Sequence, residues 1–170
     1  MRLELLDIVK QRRDAAEFPV TFTSEDCAAL SSSDYEVTSV SDFVVAVVIT
    51  GRKMHITGST SVELIADCSR CLKKTDVSIP VNLDFLFEIS DEEVIDDEED
   101  PCAALSDGVL DINELLAEEI LMGFPTKVLC RPDCKGICPD CGADLNISEC
   151  GCDRFVADPR MQKFLDVFKG

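Results

Sequence analysis

The chain has 170 residues and a mass of 18.7 kDa, with 46% hydrophobic and 29% charged residues. That is enough to bury roughly 70% of the unfolded surface, and too apolar for global disorder. A net charge of −18 argues against a protein that grips nucleic acid with its whole surface. The longest apolar run, residues 43–49, is too short to span a bilayer as a helix, and no apolar stretch of signal-peptide length follows Met1, so the expected location is cytoplasmic.

Residues 1–90 read as strands. Residues 18–23 are short and β-branched, and residues 35–50 contain Val37, Val40, Val44, Val45, Val47, Val48 and Ile49. Residues 51–53 suit a turn. Residues 54–66 alternate and are rich in Thr, Ser, Val and Ile. Residues 76–89 alternate again, with Val77, Ile79, Val81, Leu83, Phe85 and Phe87 on one parity. A period of two over that length predicts half-buried strands with one face on a core. Pro80 predicts an edge or a bulge there.

Residues 90–108 predict an acidic connecting loop, since eight of the ten residues 91–100 are acidic. A helix is predicted over 111–121, capped by Asp111 with Glu114 three residues on, and with Ile112, Leu115, Leu116 and Ile120 on one face. Pro125 stops it. A last helix is predicted from Asp158, with Pro159 in its first turn and Met161, Phe164, Leu165 and Phe168 as its apolar stripe.

Ten cysteines without a secretory context do not suggest a disulfide framework. Cys68 and Cys71 form one Cys-x2-Cys pair. Cys130, Cys134, Cys138, Cys141, Cys150 and Cys152 crowd together later, while Cys27 and Cys102 stand alone as bystanders. Cys138-Pro-Asp-Cys141-Gly142 has the form of a metal knuckle, in which two cysteines flank a tight turn and the glycine permits positive φ. The local spacing favours Cys138, Cys141, Cys150 and Cys152 around one zinc, leaving Cys68, Cys71, Cys130 and Cys134 for a second. The alternative puts Cys130, Cys134, Cys138 and Cys141 in one site and Cys68, Cys71, Cys150 and Cys152 in the other. Loop-closure entropy differs by only a few tenths of a kcal/mol between these choices and does not decide. Zinc is preferred to iron because the Cys150-Gly-Cys152 pair departs from the two-knuckle rubredoxin pattern.

Enzyme signatures are scarce. His55 is the only histidine and sits in a strand pattern; no nucleophile motif or glycine-rich phosphate loop accompanies it. The expectation is a protein that is not an enzyme and has no small-molecule substrate.

The run Asp67-Cys68-Ser-Arg70-Cys71-Leu72, a strand, an acidic loop, Asp111-Ile-Asn-Glu-Leu-Leu-Ala-Glu-Glu-Ile-Leu121 and Pro125 together resemble the YceD family, named for large-subunit ribosomal RNA accumulation. The ending Cys134-Lys-Gly-Ile-Cys138-Pro-Asp-Cys141-Gly142 followed by Cys150-Gly-Cys152 resembles the form common in Gram-positive members. The resemblance covers roughly residues 35–155. It implies a bacterial or plastid protein with a role in ribosome assembly or ribosomal RNA stability, and no catalytic residue. Members without the terminal ribbon keep the first cysteine pair and a His/Cys pair where Cys130 and Cys134 stand here, which implies grouping these four.

The sequence therefore predicts an α+β fold. A twisted antiparallel sheet, barrel-like in part, packs on one main helix in residues 1–124; residues 125–170 form a cysteine-rich zinc segment and a short terminal helix. The predicted function is a zinc-binding accessory factor for large-subunit assembly. Its partner is large-subunit ribosomal RNA or the precursor particle, met by Lys127, Arg131, Lys135, Arg154, Arg160 and Lys163 or through a ribosomal protein. The other readings are a module that binds a basic ribosomal protein through residues 91–100, and an iron or thiol redox protein.

Overall fold

The computed structural model describes residues 1–11, 13–90, 93–95, 102 and 104–152. In chain order the elements are β1 (Arg2–Glu4), α1 (Leu5–Lys10), β2 (Ala15–Val20), α2 (Ser24–Leu30), β3 (Tyr35–Val40), β4 (Phe43–Thr50), β5 (Lys53–Asp67) and β6 (Lys74–Ser90). They continue with β7 (Glu93–Ile95), β8 (Leu105–Ser106), β9 (Val109–Asp111) and α3 (Ile112–Gly123). The fold is α+β, and the strand pairs among the described residues are antiparallel.

One long hairpin organises the molecule. β5 and β6 pair without a register shift from Lys53↔Glu88 to Asp67↔Lys74. At about 3.3 Å per residue this ladder is roughly 50 Å long. Its far tip is the loop that carries Cys68 and Cys71. The side chains of β6 alternate as its sequence predicts: Ile79, Val81, Leu83 and Phe87 are buried, while Ser78, Pro80, Asn82 and Asp84 face solvent. Pro80 lies opposite Ser61 with the register intact, so it marks an edge and not a bulge. Beyond the three residues paired with β7, that side of β6 has no strand partner among the described residues.

The opposite side of β5 is shared. β4 pairs with its first part (Ala46↔Thr57 to Thr50↔Lys53) and β3 with its last part (Tyr35↔Ala66 to Val40↔Val62). The predicted single strand over 35–50 is thus two strands, interrupted where the Ser41 N–H turns to the Ser61 carbonyl at 2.9 Å. The turn expected at 51–53 forms with Gly51 at φ 65° in its first central position, the arrangement of a type II′ hairpin turn. The larger sheet runs β2-β4-β5-β6-β7 with β2 and β7 at its ends, so among the described residues it stays open and the barrel-like closure does not occur.

α3 covers the sheet. The Asp111 carboxylate accepts the Asn113 N–H at 3.0 Å, capping the first turn. Ile112, Leu115, Leu116 and Ile120 are fully buried against the core that β6 and its neighbours supply. The helix runs two residues past the predicted end, to Gly123. A Cβ there would lie 2.8 Å from Ile79 Cγ2, so the missing side chain lets the helix end approach β6.

The sequence reading missed the small sheet β1-β9-β8 and two short helices. Thr23, read as the end of a strand, is the N-cap of α2 and forms a capping box with Asp26. Part of the acidic loop is ordered into β7 and β8. The predicted terminal helix, with Arg154, Arg160 and Lys163, lies outside the described residues.

Candidate metal centres

The chain builds the same turn twice. In the tip of the long hairpin, the Leu72 N–H bonds to the Cys68 carbonyl and the Cys68 N–H to the Lys73 carbonyl, both at 2.9 Å. In the later segment, the Gly142 N–H bonds to the Cys138 carbonyl at 2.9 Å and the Cys138 N–H to the Ala143 carbonyl at 2.8 Å. Each turn ends on a left-handed residue, Leu72 at φ 60° and Gly142 at φ 73°. This geometry aims backbone amides at the first sulfur of the pair. Glycine marks the second turn in the sequence; the first hides it, because leucine holds the same conformation at a steric cost.

The two turns seed two groups. Cys68, Cys71, Cys130 and Cys134 form one, and Cys138, Cys141, Cys150 and Cys152 the other, with the sulfurs of each group within 4.8 Å of one another. The Cys68–Cys134 and Cys71–Cys130 sulfurs are 3.8 and 3.6 Å apart. A tetrahedral ion with metal–sulfur bonds near 2.3 Å needs edges of about 3.8 Å. None of the ten cysteines is in a disulfide. The first of the two groupings weighed from the sequence is the one the fold assembles. Cys27 is buried in the core on α2, Cys102 is half-buried, and neither belongs to a group.

Electrostatics inside each group favour a divalent cation. The Cys130 backbone N–H, joined by those of Arg70 and Cys71, holds the Cys68 thiol down to about 6 against the cost of burial. The Cys141 and Asp140 N–H groups hold Cys138 down to about 7. In each group a further sulfur resists a second negative charge. Burial and the neighbouring Cys71 push Cys130 up to about 12, and the Cys141 and Cys138 sulfurs push Cys152 up to about 12. One thiolate is therefore prepared in each group, and a bound cation would reconcile Cys130 and Cys152 with losing their protons. Four thiolates leave a closed donor set with no position for a substrate, which suits a structural ion.

The first group ties the hairpin tip to the chain beyond α3. The Ser69 N–H bonds to the Val128 carbonyl at 2.8 Å, and the Val128 N–H returns to Ser69 Oγ at 3.1 Å. The Ile137 N–H bonds to the Arg70 carbonyl at 3.1 Å, and Arg70 Nη1 donates to the Cys134 carbonyl. Gly136, at φ 80°, sits where a Cβ would come within 2.8 Å of the Arg70 oxygen.

This assembly gathers exposed cations that are remote in sequence. Lys73 and Lys74 follow the first knuckle, and Lys127, Arg131 and Lys135 lie on the segment docked against it. Lys74 meets Asp67 at 3.1 Å. Arg131, expected as an RNA contact, is exposed and also partnered: its Nη2 donates to Asn146 Oδ1 at 2.8 Å and its Nε lies 3.5 Å from Asp133. His55 lies on the outer face of the sheet with its Nε2 2.6 Å from Asp84, an exposed pair.

Fold and site together define an α+β protein, built on an antiparallel sheet, with two four-cysteine groups, each able to hold a metal ion. The chain belongs to the YceD family: the family model described as large ribosomal RNA subunit accumulation protein matches residues 56–168, a span that contains both groups. Uncharacterized proteins from Mycobacterium tuberculosis and Mycobacterium bovis are 31% identical over 143 residues, covering 84% of this chain and 64% of theirs. One from Mycobacterium leprae is 27% identical over 113 residues, covering 66% of this chain and 52% of its own length. The chain thus spans less than two thirds of the length of these relatives. No solved structure matches it. Among the described residues, no helix is long and apolar enough to cross a membrane.

Proposed function

We propose that this chain is a zinc-binding, non-enzymatic accessory factor that acts in the cytoplasm on the assembling large ribosomal subunit. Family membership carries the reading, because the family is described by large-subunit ribosomal RNA accumulation and the match includes both cysteine groups. Zinc suits the groups because it is redox-silent, prefers a closed tetrahedron and binds thiolates well. Each ion would be held by one knuckle and one later cysteine pair, and would supply folding free energy rather than reaction chemistry. A non-enzymatic role is supported by the closed donor sets and by the place of His55 in a surface pair with Asp84.

The precursor particle is met at the metal-built end. Residues 121–170 balance seven basic against seven acidic residues, so the whole excess of negative charge falls in residues 1–120. Lys73, Lys127 and Lys135 are exposed around the first group and suit RNA phosphates. The test is sedimentation of the native protein in host lysate, with and without RNase. Migration with large-subunit precursors, lost after RNase and weakened by charge reversal at Lys73, Lys127 and Lys135, supports the reading. Free sedimentation in both lanes refutes stable particle binding, and binding that survives charge reversal removes this surface from it.

A further inference from the structure

Asn146 belongs to neither cysteine group, yet it lies in a loop bounded by ligands of one group and its side chain contacts a ligand of the other. Its Nδ2 donates to the Cys134 sulfur at 3.5 Å and to Asp144 Oδ1 at 2.8 Å. Its Oδ1 accepts the Lys135 backbone N–H and Arg131 Nη2, each at 2.8 Å. The orientation of the amide is over-determined. Exchanging its oxygen and nitrogen would set the NH2 against two donors and the oxygen against a sulfur and a carboxylate.

Asn146 sits in the loop between Cys141 and Cys150, both members of the second group. The loop folds back on itself through the Ile147 and Ser148 N–H groups, which bond to the Asp144 carbonyl at 3.1 and 3.2 Å. It also bonds to the first group's segment, with the Leu145 N–H on the Gly136 carbonyl at 2.9 Å. An ion in the second group fastens both ends of this loop, while its middle holds a ligand of the first group. A hydrogen bond to a thiolate stabilises the charged sulfur that a metal requires.

We propose that Asn146 couples the two centres. Metal in the Cys138, Cys141, Cys150 and Cys152 group closes the loop that aims the Asn146 N–H at Cys134, and this strengthens metal binding by Cys68, Cys71, Cys130 and Cys134. The inference rests on the metal-binding reading above. Linkage makes it reciprocal, so metal in the first group also strengthens binding in the second. Asn146 is a positioning residue, acting through Cys134.

The test titrates the full chain with Co2+ alone, follows the thiolate charge-transfer bands, and then competes the metal with a chelator. A Cys68→Ser variant gives the spectrum of the second centre. Asn146→Asp keeps the acceptor for Lys135 and Arg131 and loses the donor; Asn146→Ala loses both. Each is expected to weaken the first centre about tenfold or more, as loss of an outer-shell partner does, and to shift its charge-transfer band while leaving the second centre's spectrum unchanged. Cys150→Ser with Cys152→Ser should weaken the first centre to a similar degree, and adding Asn146→Ala to that pair should change little more. Wild-type affinity and band position at the first centre in both Asn146 variants overturns the coupling, as does an intact first centre after loss of the second. Losses at the second centre as large as those at the first, measured for both Asn146 variants in the Cys68→Ser background where no coupling to the first centre can act, overturn it in favour of a general folding role. A wild-type chain that takes up fewer than two equivalents of Co2+ overturns the two-centre reading itself, whereas two equivalents with no Asn146 effect overturns the coupling alone.

Discussion

Gly136 and Gly142 offer a controlled pair of substitutions. Both are left-handed, at φ 80° and 73°, so an added Cβ meets the same backbone penalty at each, about 1–2 kcal/mol. Alanine also restricts the unfolded chain, which returns about 0.4–1 kcal/mol. At Gly142 nothing lies within 4 Å of the new Cβ, so Gly142→Ala should cost about 1 kcal/mol. At Gly136 the Cβ would stand 2.8 Å from the Arg70 carbonyl oxygen and 3.2 Å from the Arg70 Cβ, neither of which can rotate away. Restoring ordinary contact moves the loop off the hairpin tip by roughly 0.6 Å and stretches the Ile137–Arg70 hydrogen bond from 3.1 Å to about 3.7 Å, beyond bonding range. Losing that bond adds about 1 kcal/mol, and the charged Arg70–Cys134 bond is weakened as well, so Gly136→Ala should cost about 2–4 kcal/mol. It should also loosen the first metal centre, because Cys71 adjoins Arg70 and Cys134 lies two residues before Gly136. The assay is urea unfolding of the metal-loaded variants together with chelator competition. Equal, small effects at both glycines would refute the claim that the hairpin tip and the loop are in close backbone contact.

Two further outcomes follow from burial and from thiol chemistry. Leu116 is fully buried and Leu121, five residues on in α3 and on the other face, is 69% exposed; Leu116→Ala should lower stability by about 2–5 kcal/mol and Leu121→Ala by no more than about 0.5 kcal/mol, read from urea midpoints. Metal affinity should fall as pH falls, because every ligand must lose its proton to bind. Cys130 and Cys152, pushed up to about 12, still hold protons at neutral pH, and below about 6 to 7 even Cys68 and Cys138 regain theirs. The apparent affinity measured by chelator competition should drop at least about tenfold per unit between pH 7 and pH 5.5, and a flat profile would contradict thiolate ligation.

The parts of the fold that carry long periodic patterns were legible in the sequence. The β6 alternation and the Ile112, Leu115, Leu116, Ile120 stripe appear in the structure with the predicted residues buried, Val77 and Phe85 of β6 only in part. Short elements were not legible, because their stability comes from partners far along the chain. β1 exists through its pairing with β9, more than a hundred residues later, and no local pattern announces that contact. The α2 start was readable in principle from Thr23 and Asp26, but a β-branched run before it made Thr23 look like a strand end. The sequence placed all eight candidate ligands and left their grouping open, since loop entropy is nearly indifferent to it. What settles the grouping is the length and register of the β5–β6 hairpin, which sets the Cys68 and Cys71 sulfurs beside Cys134 and Cys130. Arg131 shows the converse limit: its charge suggested a surface contact, and only the fold reveals its bond to Asn146.

The two halves of the chain are held by different physics. The apolar core draws on residues from Leu3 to Val128. Among the described residues beyond it, 129–152, Leu145 is the only buried aliphatic side chain. A segment with so little apolar burial cannot offset its own backbone entropy by the hydrophobic effect. It is ordered instead by backbone hydrogen bonds to the hairpin tip and by the two cysteine groups, where structural zinc can supply about 10–16 kcal/mol. The first group has one pair of sulfurs on each half, so the ion it could hold would tie the halves together. That tie brings the segment with Lys127 and Lys135 against the hairpin tip that carries Lys73, gathering three exposed cations that are remote in sequence. Metal in the first group would hold that cluster of cations together, and its loss would scatter those charges while leaving the sheet and α3 intact.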